Sequence, residues 1–239
     1  MAHVPKKTGR PRSLPHAEGV DPVEEILAAA GRLFLELGLP ATTMSRLAAE
    51  AGLKQSSLYY YFGSKDEVVA AVVARANVIP LDLVARVQRE GGAPPVQLYR
   101  FVRGDVIALC ELPFDINEVH RAAARQPEAF PSYWSERAEL ERDVAGIVRA
   151  GVAGGSLRSV DPSFAAVTII ANDEAVQNWY RLPVVRRDPH SAGTFLADLT
   201  VSGLLTGRSQ LDSIRRQSDR LDALSGAESG RIDVSMNHR

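Results

Sequence analysis

The sequence predicts an all-α chain, and three observations carry that prediction. Apolar residues recur at spacings of three and four from Ile26 to Leu224. No stretch alternates apolar and polar residues with the period of a half-buried strand, and no internal repeat is seen. Helix punctuation (Asp-Pro pairs, hydroxyl caps, glycine and proline stops) falls at the ends of the apolar-periodic segments. A chain of 239 residues is long enough for one large or two modest domains with real cores.

Taken in order, residues 1–19 are rich in Pro, Gly and basic groups and are expected to be disordered when free. Asp21 then caps a helix, with Pro22 at its first position and Glu24 completing a capping box. Ile26, Leu27, Ala30, Leu33, Phe34 and Leu37 form its apolar stripe, and Gly38 ends it. Thr43 caps a short second helix, because a hydroxyl there accepts an orphan backbone N–H. Met44, Leu47, Ala48 and Ala51 face inward on it, Gly52 stops it and Leu53 plugs the turn. A third helix runs from about Lys54 to Tyr61 with Leu58 and Phe62 inward. Ser64 and Glu67 form a further capping box. A long helix follows through Val68, Val72, Ile79, Leu83 and Val87, which Pro80 kinks or breaks in two.

After the loop at Gly91–Pro95 every segment again reads as helix. Leu98, Tyr99, Val102, Val106, Ile107 and Leu109 give one, ended by Pro113, and a short segment spans about Glu118 to Arg125. Ser132 caps the next, whose stripe is Trp134, Leu140, Val144, Ile147 and Val148, and Gly151, Gly154 and Gly155 close it. Asp161-Pro162 opens a helix to about Arg181, and Ser191–Leu205 is a further apolar helix. Leu211 to Leu224 extends as an amphipathic helix, and residues from Ser225 onward are expected to be disordered.

The outward face of the third helix carries Gln55, Ser56, Tyr59 and Tyr60, flanked by Lys54 and Lys65, and no carboxylate. Amides and hydroxyls read base edges in the major groove, while phenols and ammonium groups hold phosphates. Two short helices with a glycine-bearing turn are the helix-turn-helix unit, whose second helix enters the groove. The plainer alternative is a three-helix packing unit with a solvated polar face. Ahead of it, Lys6, Lys7, Arg10 and Arg12 are opposed only by Glu18. KKTGRPR is either a short minor-groove arm or a solvated tail, and both readings stay open.

The wording TTMSRLAAEAGLKQSSLYYYFGSK, preceded by ILAAAGRLFLELG, resembles the N-terminal DNA-binding domain of the TetR family of transcriptional regulators, from about Val20 to Pro80. The resemblance implies DNA contacts from Thr43, Ser45 and Arg46, from Gln55, Ser56, Ser57, Tyr59 and Tyr60, and from Lys65 at the next helix start. Where many members place a serine cap on the recognition helix this chain has Lys54, a cation at a positive dipole end. The implied organisation is a basic arm (1–19), a three-helix DNA-binding domain (20–80, motif 43–62), a larger helical ligand-binding and dimerisation domain (81–207), and a helical extension with a disordered tail (208–239). The implied function is a ligand-responsive regulator of transcription, a repressor that binds a palindromic double-stranded operator as a homodimer and is released by a small-molecule effector. The alternative is a helical small-molecule-binding or interaction protein whose helix-turn-helix is architectural.

Elsewhere the sequence offers little chemistry. The formal net charge is -1 with a pI near 6.5, so bulk charge announces no partner. The single cysteine, Cys110, excludes an intrachain disulfide and reads as a buried thiol. No apolar run of membrane-spanning length and no signal-peptide core are evident, which points to a cytoplasmic chain with no membrane partner. There is no nucleophile elbow, no nucleotide loop and no histidine in metal-ligand spacing with cysteine or histidine, so no enzyme activity and no cofactor are expected. Asp115, Glu118 and His120 read as a polar helix face rather than a metal site. Tyr99, Phe114, Trp134 and Trp179 suggest an apolar aromatic effector pocket, though each serves equally as core. The helices Asp161–Arg181 and Ser191–Leu205, with Phe195 or Leu199 near its own symmetry mate, are the candidate dimer surface.

Overall fold

The computed structural model describes residues 21–112, 114–182, 188–207 and 210–236, with side chains as far as Ser225. These residues are helical almost throughout, and among them the only strand-like pairing is an isolated bridge between Leu157 and Leu205. The chain divides into two compact units, Met1–Val73 with Pro113–Val119, and Ala74–Leu112 with His120–Arg239.

The first unit holds α1 (Pro22–Ala41), α2 (Met44–Glu50), α3 (Gln55–Tyr61) and α4 (Lys65–Val73). Asp21 caps α1 by accepting the Val23 N–H at 2.9 Å. Ile26, Leu27, Ala30, Leu33 and Phe34 bury against the other helices, but Leu37, expected in the core, is 41% exposed. The reason is Gly38, which takes φ 75° and turns the chain out of the helix one residue later. The Thr42 hydroxyl then donates to the Gly38 carbonyl at 3.0 Å. The capping box of α4 forms with a shifted partner. Ser64 Oγ accepts the Glu67 N–H at 3.2 Å, and Glu67 Oε2 accepts the N–H of Gly63 at 2.8 Å.

The second unit holds α5 (Val78–Glu90), α6 (Pro94–Glu111), most of α7 (Ile116–Arg125), α8 (Pro131–Ala153), α9 (Pro162–Glu174), α10 (Gln177–Tyr180), α11 (Pro189–Leu204) and α12 (Leu211–Met236). The long helix expected to break at Pro80 breaks earlier, across the turn residues 74–77, and Pro80 lies in the first turn of α5, where proline's missing donor costs nothing. The stretch Lys65–Glu90 spans 26 residues and contains an 18-residue window with a mean hydropathy of 1.8, which corrects the expectation that no apolar run approaches spanning length. It is nonetheless two helices whose Val68, Val72, Val73, Leu83, Val84 and Val87 are buried as core.

Other boundaries also move. Phe130 and Pro131, not Ser132, begin α8, and its buried aromatic is Tyr133 while Trp134 lies at the surface. The helix opened by Asp161 stops at Glu174, and α10 resumes at Gln177. The tail from Ser225, expected to be disordered, continues α12 to Met236.

Helix α6 is the spine of the second unit, packed by α5, α8, α9, α11 and α12. Leu98, Tyr99, Phe101, Val102 and Val106 on it are inaccessible to solvent. Its tightest partner is α11, where the backbone of Gly193 approaches α6 so closely that a Cβ would lie 2.7 Å from the Arg103 carbonyl oxygen and 2.9 Å from Ile107. Gly193→Ala should therefore lower unfolding free energy by about 1–3 kcal/mol through overpacking. Gly146→Ala on α8, where a Cβ meets nothing within 4 Å, should be neutral or stabilising, by up to about 1 kcal/mol. Equilibrium denaturation of the two variants beside wild type checks the contrast.

Candidate functional site

The helix-turn-helix is built by a few local bonds. Thr43 Oγ1 accepts the Arg46 N–H at 3.3 Å and starts α2. Gly52 takes φ 65°, and the Leu53 N–H then reaches back to the Ala48 carbonyl at 2.8 Å. Buried Met44, Leu47, Leu53, Leu58 and Phe62 lock α2 against α3. With the inner faces fixed, Gln55, Ser56, Tyr59 and Tyr60 point to solvent, and Tyr60 is 84% exposed. Tyr60 is held edge-on against Tyr61, with ring centroids 5.2 Å apart. Ser57 is half-buried.

The flanking groups differ among themselves. Thr43, Ser45 and Arg46 are exposed at the start of α2, and Arg46 gives one N–H to the Ala41 carbonyl at 3.0 Å. Lys54 occupies the N-cap of α3 and makes no side-chain capping bond. Lys65 is placed unlike the rest, because its Nζ donates to the Leu39 carbonyl at 2.8 Å and ties the start of α4 to the end of α1. Of the nearby carboxylates, Glu50 is engaged by Arg32 Nε at 2.8 Å. The arm residues Arg10 and Arg12 lie outside the described residues.

The four aromatics proposed for an effector pocket do not gather. Tyr99 is fully buried and its hydroxyl donates to Asp198 Oδ1 at 3.0 Å. Phe114 belongs to the first unit, Trp134 stacks edge-on against Tyr133 at 5.1 Å, and Trp179 is half-buried. None of them lines a cavity of about 900 Å³ between α5, α6, α11 and α12, whose wall holds Leu83, Arg86, Arg89, Arg100, Arg103 and His190. Sequence reasoning missed these arginines. The signal was their spacing of three on two successive helices, at 86 and 89 and at 100 and 103. On α9 and α11, by contrast, Phe164, Val167, Phe195 and Leu199 are all exposed, Phe195 by 64% and Leu199 by 57%. Phe164 and Leu199 share a groove of about 560 Å³ between those helices.

A second group of charges is buried in the same unit. Arg137 on α8 forms a two-bond pair with Glu174 on α9, Nη2 to Oε2 at 3.1 Å, with Nη1 on Oε1. His120 lies with Nε2 2.9 Å from Glu174 Oε1 and Nδ1 against the Tyr133 hydroxyl, so both ring nitrogens face Glu174 and Tyr133, not Asp115 or Glu118. Burial alone would raise the Glu174 carboxyl, but the hydrogen bonds from His120 and Arg137 win and hold it below the usual range. Asp105 on α6 and Asp173 on α9 are buried without such help. Burial, then the charge of Glu174, pushes Asp105 up to about 7. Burial, then Asp105 and Glu174, pushes Asp173 well above the carboxylate range, and neither of its oxygens has a partner among the described residues. Burial likewise pushes the Cys110 thiol up to about 11, which keeps it protonated and unreactive at neutral pH. Among the described residues, no group of three or more His, Cys, Asp or Glu side chains is placed to hold a metal ion.

An exposed, carboxylate-free recognition helix on a helix-turn-helix, joined to a larger all-helical unit, defines a DNA-binding regulator of transcription. Residues 26–72 match the family model described as bacterial regulatory proteins, tetR family. The transcriptional repressor KstR2 of Rhodococcus jostii (strain RHA1) is 30% identical over 168 residues, 66% of this chain and 78% of that protein. The chain belongs to the tetR family. Other curated relatives match over less of their length: the repressor BepR of Brucella suis is 26% identical over 96 residues, 40% of this chain and 44% of that protein. Among solved structures, KstR2 of Mycobacterium tuberculosis superposes with a TM-score of 0.69 at 21% identity, covering 78% of this chain and 96% of that one. AibR in complex with isovaleryl coenzyme A and operator DNA gives 0.66 at 20% identity, covering 77% and 98%.

The buried acid pair predicts a pH effect whose sign follows from the raised values. A carboxyl that holds its proton more tightly when folded stabilises the fold fully below its unfolded value near 3.8. That stability is lost as pH rises toward and through the folded value. Wild type should therefore weaken between pH 5 and 8 relative to Asp173→Asn, which keeps the shape without the charge. The difference in unfolding free energy between the two should grow by more than about 1 kcal/mol over that window. Urea titrations of both proteins at several pH values measure it, and a constant difference would mean that Asp173 titrates as an ordinary carboxylate.

Proposed function

We propose that this chain is a ligand-responsive transcriptional repressor that binds a palindromic operator as a homodimer and releases it on binding a small-molecule effector. The observation that carries the reading is the α3 face, where Gln55, Ser56, Tyr59 and Tyr60 stand in solvent with no acidic group among them. Gln55 reads a base edge, most simply adenine N6 and N7, and Tyr60 holds a phosphate. Thr43, Ser45, Arg46, Lys54, Ser56, Ser57 and Tyr59 supply further backbone or base contacts. Lys65 contributes through an ammonium that already commits one N–H to Leu39. Such a protein works where its DNA is, in the cytoplasm. That AibR was crystallised with isovaleryl coenzyme A and operator DNA supports an effector-controlled reading for this chain as well.

The same reading calls for a two-fold assembly. One short recognition helix covers too few base pairs for operator affinity, so two copies must meet half-sites a helical turn or more apart. The exposed apolar side chains of Phe164, Val167, Phe195 and Leu199 on α9 and α11 form the surface we assign to that contact.

A gel shift with DNA from upstream of the chain's own gene tests the reading. Wild type should give a discrete, salt-sensitive complex. Gln55→Ala should relax preference at one base pair, at a cost of about 1–3 kcal/mol. Tyr60→Phe should weaken all sites alike. If Gln55→Ala ranks every operator variant as wild type does, Gln55 does not read a base. Leu199→Asp should give monomers in light scattering and poor operator affinity; a persistent dimer with intact DNA binding would move the interface elsewhere.

A further inference from the structure

We propose that the cavity between α5, α6, α11 and α12 binds a multiply charged organic phosphate, and that two carboxylates of α12 act as an internal competitor for its arginines. The inference rests on the effector reading above and names the effector's class.

The geometry begins with Arg100. Its side chain is almost fully buried on α6, yet Nη1 has no partner among the described residues. Its other nitrogens are engaged: Nε donates to Asp222 Oδ1 at 2.7 Å, and Nη2 meets Glu90. A buried guanidinium N–H left unpaired is costly, and Arg100 is one of the residues that line a cavity large enough for a small organic molecule. One turn along α6, Arg103 binds Asp219 Oδ1 at 2.6 Å and also Asp222. Arg86 and Arg89 reach the same wall from α5, and His190 reaches it from α11.

Charge balance points to the class of ligand. Four arginines here face three carboxylates: Glu90 from α5, and Asp219 and Asp222 from α12. Withdrawing the two α12 carboxylates leaves three guanidinium charges uncompensated, which suits a di- or trianion and not a simple carboxylate. Guanidinium forks match phosphate oxygens two at a time. Leu83, Val87 and Ile107 line the remaining wall and suit an apolar or aromatic portion of the same molecule.

The competitor is weakly held. The Asp219 and Asp222 side chains are 66% and 46% exposed, and exposed ion pairs are readily exchanged. A phosphate entering the cavity therefore replaces two carboxylates on the same donors and frees this part of α12. Because Arg103, His190 and Thr194 belong to α6 and α11, the exchange acts on the pair of helices that sets the frame of the second unit.

Calorimetric titration of the full chain with ADP, and separately with octanoate, tests the proposal. ADP should bind wild type. Asp219→Asn/Asp222→Asn should bind it about tenfold tighter, the worth of two exposed ion pairs. Arg86→Gln/Arg89→Gln, which alters two solvent-exposed side chains, should bind it about tenfold weaker. Octanoate should bind none of the three. No heat with ADP at millimolar concentration, equal ADP affinity in the aspartate variant, or ADP binding untouched in the arginine variant would each overturn the proposal. Octanoate binding as tight as ADP would overturn the phosphate assignment. A gel shift run in parallel keeps the two readings apart: operator binding without ADP binding sinks this inference alone, and loss of operator binding in wild type sinks the regulator reading.

Discussion

The second unit depends on one close approach, the backbone of Gly193 on α11 lying against the Arg103 carbonyl of α6. Side-chain packing normally holds helix axes 8–10 Å apart, and a missing Cβ lets two helices come to the near end of that range. Here it seats α11 along α6, and α6 in turn touches α5, α8, α9 and α12. A helix that is apolar on most of its circumference can orient only a few polar groups, and α6 uses them in different directions. Arg100 and Arg103 lie one turn apart toward α12, whereas Asp105 follows Arg103 by two residues and so falls nearly opposite. The anion-holding side and the buried acid pair are thereby separated by the helix itself.

The recognition unit was legible in the sequence because its signals are local. Thr43 with Arg46, Asp21 with Val23, Ser64 with Glu67, and the left-handed Gly38 and Gly52 all act within four residues, and each forms as its neighbours dictate. What escaped depends on partners far along the chain. Tyr99 and Trp134 looked alike as candidate pocket aromatics, yet one is bonded to Asp198, 99 residues on, and the other is left at the surface by the register of α8. The arginine cavity needs α5, α6, α11 and α12 together, so spacing on two of those helices could hint at it but not close it.

Net charge illustrates the same division between local and long-range information. At -1 the chain is nearly neutral, which says nothing of nucleic acid. What matters is where the acids go. On α3 there are none, and Glu50, the nearest on α2, is paired to Arg32. In the second unit carboxylates are put to different uses: Glu174 is held ionised by His120 and Arg137, Asp105 and Asp173 are pushed toward the neutral form, and Asp219 and Asp222 cover arginines. The same carboxyl group thus serves differently from place to place, as burial and partners decide and not composition.

Control of DNA binding from the second unit requires that a ligand distinguish two arrangements of the protein, since equal affinity for both shifts nothing. The chain crosses between its units at three places: after Val73, after Leu112 and after Val119. At the first, the groups on either side are fastened within their own units, Lys65 to the Leu39 carbonyl and Asn77 to the Tyr133 carbonyl at 3.0 Å. Only the turn residues 74–77 lie between the two helices there. Helix α7, Ile116–Arg125, is continuous across the third crossing. His120, one residue past that crossing, is also the point at which α7 meets Glu174 and the buried charges of the second unit.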